Sequence, residues 1–284
     1  MNVLYSGDAN IVDGVIISSI SLAKNVSESL NIYILTASFE HNGQKIEAVC
    51  EQFALFLEKY LRNYNREISV TLIDISEKFQ SELPKANMDT RFTPGCMLRL
   101  YADDVEGLPS RVLYLDNDVL CRMNPGDFYN QKMGDNDIAG VLDYYGGWFF
   151  RQKFYKRDYL NSGILLLNME SIRKSGLFSA ARQMCMTKKM FMPDQSALNK
   201  LCKNKIICNR KYNEQRKLHE DTVFQHFTTS FRFFPYFHSV NVKPWNFEGM
   251  HKILKLHEYD DLLEEYINTK NLYLKEKNNE QQSQ

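Results

Sequence analysis

The chain has 284 residues, of which 44% are hydrophobic and 25% are charged, a composition typical of globular proteins. Its 35 basic and 35 acidic residues balance, so it lacks the positive field of a nucleic-acid-binding protein. No apolar run reaches the roughly 18 residues of a membrane span, and no secretory signal is expected at the N-terminus. Six cysteines without CxxC or zinc-type spacing favour free thiols, so we expect a cytoplasmic protein. The balanced charge predicts no nucleic-acid partner.

The first part of the chain alternates between strand and helix patterns. Apolar runs at residues 2–6, 31–36 and 67–74 predict strands. Between them, a helix pattern runs through residues 15–22, and a strongly amphipathic helix is predicted over residues 42–64. This alternation predicts a parallel sheet with helices on both faces.

The rest of the chain continues this pattern with shorter elements. Residues 79–92 predict a loop or short helix, and a helix with Pro94 in its first turn follows. The remaining predictions are strands at residues 111–118, 137–143, 161–168, 205–208 and 222–226, and helices at about 170–189 and 194–203. From about residue 274 the chain is poor in apolar side chains and is expected to be disordered. We predict one α/β domain over residues 1–250, with a mainly parallel central sheet flanked by helices, and a C-terminal helical extension and disordered tail over residues 251–284.

Asp116-Asn117-Asp118 ends the predicted strand at 111–118. Side chains two residues apart on a strand project to the same side. Two carboxylates that close repel each other unless a cation lies between them. Oxygen ligands suit hard divalent cations such as Mn²⁺ and Mg²⁺. Asp and Asn are also common in solvated turns, so the motif alone leaves both interpretations open.

Polar side chains also occur at the ends of other predicted elements. They are Ser6, Asp8 and Asn10 after the first strand, Asp143 and His226 at the ends of two later strands, Asn161 and Ser162 at the start of another, and Asp194 and Gln195 at the start of a helix. Ligands of open parallel sheets bind beyond the carboxyl ends of the strands, so we expect most of these residues to line one cleft. The first turn lacks the GxGxxG pattern, which argues against a dinucleotide-binding dehydrogenase.

In their order along the chain, these motifs resemble those of glycosyltransferase family 8, which includes bacterial lipopolysaccharide galactosyltransferases and glycogenin. The matching segments are residues 5–10, 99–101, 113–119, 143, 159–168, 194–199 and the Lys243-Pro244-Trp245 motif. The DxD motif alone has low specificity, whereas the ordered set from residue 2 to about 246 is specific. The resemblance implies a single GT-A-type, Rossmann-like α/β domain.

The resemblance also implies roles for individual residues. Asp116 and Asp118 would hold Mn²⁺, or Mg²⁺ in its place, against the diphosphate of a UDP-sugar. The residues implied to bind the donor are Ser6, Asp8, Asn10, Arg99, Asp116, Asn117, Asp118, Asn161, Ser162 and Lys243, and those implied to act near the reacting carbon are Asp143, Asp194 and Gln195. Several also have a structural explanation: Arg99 as a surface cation, Asp143 as a strand cap, Asn161 as a turn former and Asp194 as a helix N-cap.

The third protein ligand of the metal has two candidates. The family pattern is a His, an aromatic residue, a small residue and Gly, with Lys-Pro-Trp about six residues after the His. His226-Phe227-Thr228 matches this locally but lacks the Gly and precedes Lys243 by 17 residues. His238 has nearly the expected distance and a poorer local match. We favour His226, with residues 230–237 as an insertion.

The reaction implied by the resemblance is the retaining transfer of a hexose, glucose or galactose, from a UDP-sugar to a hydroxyl of a glycan or glycoconjugate acceptor. We expect the acceptor to dock over residues 79–92 and 144–159. Residues 251–284 hold five Lys and seven acidic residues, so any membrane association is expected through the acceptor only. No feature of the sequence predicts an oligomeric state. One alternative is a catalytically idle UDP-sugar-binding protein. The other is a DxD phosphatase, but in such enzymes the motif follows the first strand of the fold, whereas here it ends the fourth predicted strand.

Overall fold

The computed structural model describes residues 1–90, 94–145, 158–232 and 238–282. The strands are β1 (Asn2–Ser6), β2 (Leu30–Thr36), β3 (Phe39–His41), β4 (Gln44–Ile46), β5 (Ile68–Asp74), β6 (Arg111–Leu115), β7 (Val119–Cys121), β8 (Ile138–Leu142), β9 (Leu160–Asn168), β10 (Lys205–Ile207), β11 (Phe224–His226), β12 (Ser230–Arg232) and β13 (His238–Val240). The α-helices are α1 (Val12–Asn25), α2 (Glu51–Leu61), α3 (Ser76–Ser81), α4 (Gly126–Tyr129), α5 (Met169–Ser175), α6 (Leu177–Thr187), α7 (Pro193–Leu201) and α8 (Asp260–Gln282). Within these ranges, no helix combines the length and apolar character that crossing a membrane requires.

The central sheet of the described residues has seven strands in the order β10-β8-β9-β6-β1-β2-β5. All neighbouring pairs are parallel except the two that involve β9, which runs antiparallel to β6 and β8. Six strands therefore point the same way and one points the opposite way. The predicted mainly parallel α/β fold is confirmed.

Successive residues of a strand point to opposite faces of the sheet, and the buried strands are apolar on both. Helices pack on each of these two faces. On one face, Val3 and Tyr5 of β1 belong to a core shared with α1, α2 and α8. On the other face, Leu4 belongs to a core shared with α6, α7 and the 3₁₀ helix Pro94–Asp104. A helix was predicted from Pro94, and the structure gives it the tighter 3₁₀ geometry.

The reversed direction of β9 determines which residues meet at the edge of the sheet. Leu115, the last residue of β6, pairs with Ile164 of β9. The residues that precede Ile164, Asn161 and Ser162, therefore lie where the neighbouring strands end. This explains how residues at the start of a strand join side chains that follow the ends of others.

The predicted amphipathic helix over residues 42–64 is wrong at its N-terminal end. Helix α2 begins only at Glu51, and β3 and β4 form an antiparallel hairpin before it. Asn42 and Gly43 connect these strands with positive φ angles of 51° and 73°. Asn-Gly is the preferred pair for a two-residue hairpin turn because both residues accept the left-handed region.

The predicted disorder from about residue 274 is also wrong, since α8 continues to Gln282. The ring of Tyr273 packs against Phe53 and Phe56 of α2, with centroid distances of 5.3 Å in both pairs. Lys59 and Glu276 form an ion pair at 2.9 Å. These contacts hold the C-terminal helix on α2, whereas a domain boundary at residue 250 stays a prediction.

Candidate active site

Asp116 lies just after β6, and one of its carboxylate oxygens is fully engaged. Oδ1 accepts hydrogen bonds from the Tyr114 hydroxyl at 2.9 Å and from Nη2 of Arg99 at 2.8 Å. The guanidinium of Arg99 also lies over the Tyr114 ring, 4.2 Å from its centroid. These contacts fix the orientation of the Asp116 carboxylate, whose other oxygen, Oδ2, lies 3.7 Å from Nε2 of His226.

Arg99 comes from the 3₁₀ helix and is buried, so it is not a surface cation. Besides Asp116, it binds the carboxylate of Asp194 at 3.2 Å and donates to the backbone oxygen of Ser162 at 2.6 Å. Burial disfavours its charge, but Asp116 and Asp194 outweigh this and raise the pKa of Arg99 above its ordinary value. The permanent positive charge of Arg99 therefore stabilises the ionised carboxylates of Asp116 and Asp194.

His226 reaches the two aspartates because β11 pairs with β7. In this antiparallel ribbon His226 lies opposite Val119, the residue after Asp118. Its Nε2 atom lies 3.2 Å from Oδ1 of Asp118. Asp116, Asp118 and His226 offer ligand atoms that all lie within 4.8 Å of one another, and this group does not include His238, which begins β13.

The electrostatics of this group favour a positive charge between its members. Burial opposes protonation of His226, but the carboxylates of Asp118 and Asp116 outweigh it and raise the pKa of the imidazole. Burial likewise opposes the charge of Asp118, but Lys243 and His226 lower the pKa of its carboxyl group below the ordinary value. A cation and a proton would therefore compete for Nε2 of His226.

Three observations show that the group fits a divalent cation. The Oδ1 atom of Asp118 is buried and accepts no hydrogen bond from the described residues, whereas Oδ2 accepts one from Lys243 at 2.5 Å. A Cβ atom at Gly163 would lie 2.2 Å from Cε1 of His226 and 2.7 Å from Oδ2 of Asp116, so only glycine leaves the space open. Carboxylate and imidazole donors are suitable ligands for Mn²⁺ and similar ions.

The remaining polar residues of the site form a buried hydrogen-bond network. Oδ2 of Asp143 accepts from Nδ2 of Asn161 at 2.9 Å and from Nε2 of Gln195 at 3.1 Å. Oε1 of Gln195 accepts from the backbone N–H of Ser162 at 2.9 Å, and the Ser162 hydroxyl donates to Asp194 at 3.3 Å. Asp194 is therefore bound by side chains from other elements and is not the N-cap of α7, which is Met192.

Most of the residues predicted from the sequence line one cleft. Those that do are Arg99, Asp116, Asp118, Asp143, Asn161, Ser162, Asp194, Gln195, His226 and Lys243. Tyr145, Phe191 and Met192 lie at the same cleft. Residues 146–157, which hold most of the aromatic stretch expected to meet the acceptor, lie outside the described residues, as do residues 91–92 of the predicted loop.

The other four predicted residues lie beside this cleft and do not line it. Ser6 lies 3.2 Å from the Tyr114 hydroxyl, oxygen to oxygen. Asp8 accepts hydrogen bonds from the backbone and side chain of Asn10, at 2.9 and 2.8 Å. Asn117 packs against α1, where a Cβ atom at its Gly14 would come within 2.5 Å of the Asn117 backbone oxygen. Contacts of these residues with a nucleotide stay a prediction.

Sequence reasoning missed two residues that support the cation site. Tyr114 could have been found, because strand alternation points it to the same side as Asp116. Asn213, 1% exposed, lies behind His226, with its Oδ1 atom 3.3 Å from Nδ1 of the imidazole. It belongs to a polar run, Asn213-Glu214-Gln215, that has no hydrophobic periodicity to show that all three residues are buried.

A second group of possible metal ligands lies in the C-terminal part of the chain. It consists of His251, His257 and Asp260, with ligand atoms within 4.8 Å of one another. His251 lies in the π-helix Gly249–Leu254, and Asp260 is the first residue of α8. The side chains of His257 and Asp260 are 65% and 45% exposed, and that of His251 is 21% exposed.

The chain is similar in sequence to bacterial lipopolysaccharide glycosyltransferases. The lipopolysaccharide glucosyltransferase WaaO of Escherichia coli K12 is 26% identical over 254 residues, which cover 80% of this chain and 70% of that protein. The lipopolysaccharide 1,2-glucosyltransferase of the same organism is 28% identical over 228 residues, covering 75% of this chain and 62% of that protein. The present chain therefore spans only part of the length of these relatives.

Solved structures show the same fold. The galactosyltransferase LgtC, in complex with donor and acceptor sugar analogues, superimposes with a TM-score of 0.63 at 18% identity, covering 93% of this chain and 96% of that one. The glycosyltransferase GlyE of Streptococcus pneumoniae TIGR4 gives a TM-score of 0.62 at 18% identity, covering 95% of this chain and 64% of that one. The sequence profile of glycosyl transferase family 8 matches residues 2–249. The chain belongs to glycosyl transferase family 8.

Proposed function

We propose that the protein is a retaining, Mn²⁺-dependent hexosyltransferase. It moves glucose or galactose from a UDP-sugar to a hydroxyl of a glycan or glycoconjugate, and the lipopolysaccharide acceptors named for its relatives are the first candidates. The observation that carries the proposal is the group of Asp116, Asp118 and His226 in one cleft, where the buried Oδ1 of Asp118 accepts no hydrogen bond from the described residues.

Asp116, Asp118 and His226 would hold the cation, which when bound stabilises negative charge on a departing diphosphate. Arg99 keeps Asp116 oriented toward it. Lys243 neutralises Oδ2 of Asp118 and is 32% exposed at the cleft, so its ammonium group can turn to a diphosphate when a divalent cation takes over that carboxylate.

The sugar would lie against Asp143, Asn161, Asp194 and Gln195. Both carboxylates are already committed: Asp143 accepts hydrogen bonds from two amides, and Asp194 binds Arg99. Gln195 presents an amide, which is a poor nucleophile. This supports a transfer in which the acceptor hydroxyl attacks from the side that UDP leaves and gives its proton to the departing phosphate. The protein then contributes positioning and preorganised charge.

The structure gives the phosphatase alternative no support. The aspartates follow β6, not the first strand, and Oδ1 of Asp116 is held by Tyr114 and Arg99. An idle UDP-sugar-binding protein is expected to have a broken DxD motif or to lack the Asp194-Gln195 pair, and both are intact here. A cytoplasmic location stays a prediction.

A nucleotide-sugar screen tests the proposal. The protein is incubated with UDP-hexoses and Mn²⁺ or EDTA, with and without a deacylated lipopolysaccharide acceptor, and released UDP is measured by chromatography. We expect UDP release from UDP-glucose or UDP-galactose in Mn²⁺ and none in EDTA, with the donor's anomeric configuration kept in the product. UDP binding without release would indicate the idle binder. Neither binding nor release would contradict the proposal.

A further inference from the structure

We propose that Asn213 is a positioning residue that fixes the tautomer of His226, so that the lone pair of Nε2 faces the cation site. This role rests on the cation site of the proposed function. Asn213 contacts Nδ1 of His226, the ring nitrogen that does not face the cation site. It depends on a chain of hydrogen bonds that runs from Asp143 through Asn161 and Asn213 to His226.

The orientation of the Asn161 amide is determined by groups with only one possible role. A carboxylate only accepts, so the bond to Oδ2 of Asp143 must come from the Nδ2 amino group of Asn161, at 2.9 Å. A backbone N–H only donates, so the bond from Gly163 at 3.0 Å must end on the Oδ1 atom of Asn161. These two neighbours independently give the same orientation.

The orientation of Asn213 then follows from Asn161. Oδ1 of Asn161 only accepts, so the contact at 2.9 Å uses the Nδ2 amino group of Asn213. This leaves Oδ1 of Asn213 facing Nδ1 of His226 at 3.3 Å. An amide oxygen only accepts, so Nδ1 must carry a proton.

A neutral imidazole has one N–H group, so a proton on Nδ1 leaves Nε2 with a lone pair. That lone pair points at two carboxylates, since Nε2 lies 3.2 Å from Oδ1 of Asp118 and 3.7 Å from Oδ2 of Asp116. Three electron-rich atoms this close repel one another unless a cation lies between them. A histidine ligand whose second nitrogen donates to a fixed acceptor is oriented and more basic, which strengthens metal binding.

Asn213 can carry out this role because it cannot easily turn. Its side chain is buried, and its backbone oxygen accepts a hydrogen bond at 3.4 Å from the side-chain Nε2 atom of Gln215. Turning the amide over would place its oxygen against Oδ1 of Asn161, so the flipped state loses this buried hydrogen bond and brings two oxygens together. Its amino group would then face Nδ1 of His226, which accepts from it only in the Nε2–H tautomer.

Two substitutions separate positioning from simple support of the fold. Asn213→Asp keeps an acceptor for Nδ1 of His226, loses the donor to Asn161 and adds a buried negative charge beside the imidazole. Asn213→Leu has a similar size and removes the acceptor. If Asn213 only fills space, both variants affect the site similarly. If it fixes the tautomer, only Asn213→Leu allows the proton to move to Nε2.

The tautomer is read by ¹⁵N-histidine NMR of the metal-free protein, at a pH above the point where the His226 signals stop changing and the imidazole is neutral. The His226 signals are assigned by their absence in His226→Gln. We expect the Nδ1–H form in the native protein and in Asn213→Asp, and the Nε2–H form or a mixture in Asn213→Leu. In a parallel Mn²⁺ titration followed by electron paramagnetic resonance, we expect Asn213→Leu to bind about 10–100-fold more weakly than the native protein.

The Nε2–H form in the native protein, or an unchanged tautomer and affinity in Asn213→Leu, would overturn the role of Asn213. If Asn213→Asp and Asn213→Leu shift the tautomer and weaken binding equally, the residue acts only through packing. A native protein that shows the Nδ1–H form but binds no Mn²⁺ contradicts the proposed function and not the tautomer assignment. Circular dichroism of each variant checks that it is folded.

Discussion

Two clusters of histidine and aspartate in this chain have nearly the same composition and very different surroundings. In the first, the side chains of Asp118 and His226 are 8% and 4% exposed. In the second, those of His257 and Asp260 are 65% and 45% exposed. Both oxygens of Asp260 form hydrogen bonds with histidine nitrogens, His251 at 2.6 Å and His257 at 3.4 Å. Nε2 of His226 lies 3.2 Å from Oδ1 of Asp118, but that oxygen accepts no hydrogen bond from the described residues.

The difference shows why ligand types alone do not define a metal site. At the first cluster, Arg99, Tyr114 and Asn213 hold the ligands from behind, and a glycine keeps the space between them open. At the second cluster, histidine and aspartate satisfy one another at the surface. Water can solvate them there, so the cluster has no need of a cation.

The largest expected effect comes from Asp118→Asn, compared with Asp260→Asn. Losing Asp118 removes a proposed ligand and its charge, worth several kcal/mol of stabilisation of the departing diphosphate. Hexose transfer should therefore fall by at least about 1,000-fold, and Mn²⁺ affinity should fall with it. The Asp260 variant should match the native protein in both measurements, made by UDP release and by a Mn²⁺ titration. Equal losses in the two variants would remove the distinction between the clusters.

The glycine in the first cluster gives a second test. Gly163→Ala places a methyl group against Asp116 and His226, and we expect overpacking to lower the free energy of unfolding by about 1–3 kcal/mol. Because the displaced groups are proposed ligands, Mn²⁺ affinity should fall by about 10–100-fold.

Gly140→Ala is the matched control for this substitution. A Cβ atom at Gly140 would lie 2.9 Å from Cδ2 of Leu165, so it is also crowded, but against an apolar side chain. This variant should be destabilised in chemical denaturation and bind Mn²⁺ normally. The interpretation fails if Gly163→Ala also keeps normal Mn²⁺ affinity.

The sequence was sufficient for features that local patterns encode. Buried apolar runs predicted the strands of the central sheet, and the ordered motifs predicted the fold family. It was not sufficient where distant segments decide the outcome. The reversed direction of β9, which brings Asn161 and Ser162 to the site, is set by pairing with β6 and β8. No local pattern places Asn213 behind His226, because the two residues meet only through folding.

Local patterns also misled the prediction in two places. The apolar spacing over residues 42–64 is typical of one helix, but the Asn-Gly pair inside it favours a tight turn and separates β3 from β4. The polar composition after residue 274 suggested disorder, whereas α8 is held by a few aromatic contacts of Tyr273. Composition does not show where such contacts form.

The pH dependence of stability provides a smaller, directional test. In the metal-free protein the pKa of His226 is raised, so its protonated form stabilises the fold. This contribution is fully present below the pKa of the unfolded state, about 6.5, and is lost as pH rises through the higher pKa of the folded state. In EDTA, the stability advantage of the native protein over His226→Gln should therefore shrink as pH rises above about 6.5.

Urea denaturation at a series of pH values measures this advantage. Saturating Mn²⁺ should reverse the trend, because the cation binds neutral imidazole and competes with the proton. An advantage that is constant with pH in EDTA, or that grows, would contradict the proposed electrostatics of the first cluster.

The smallest expected effect is that of His257→Ala in the second cluster. Because this side chain is 65% exposed, the free energy of unfolding should change by no more than about 0.5 kcal/mol, and Mn²⁺ affinity should not change. Differential scanning calorimetry and the Mn²⁺ titration measure both quantities. A clear loss of Mn²⁺ binding in this variant would show that the exposed cluster is a metal site after all.

The most direct measurement is anomalous diffraction at the manganese edge from crystals grown with Mn²⁺ and UDP. We expect one strong anomalous peak between Oδ1 of Asp118, Oδ2 of Asp116 and Nε2 of His226, next to the diphosphate. A peak at His251, His257 and Asp260 with none at the first cluster would contradict it.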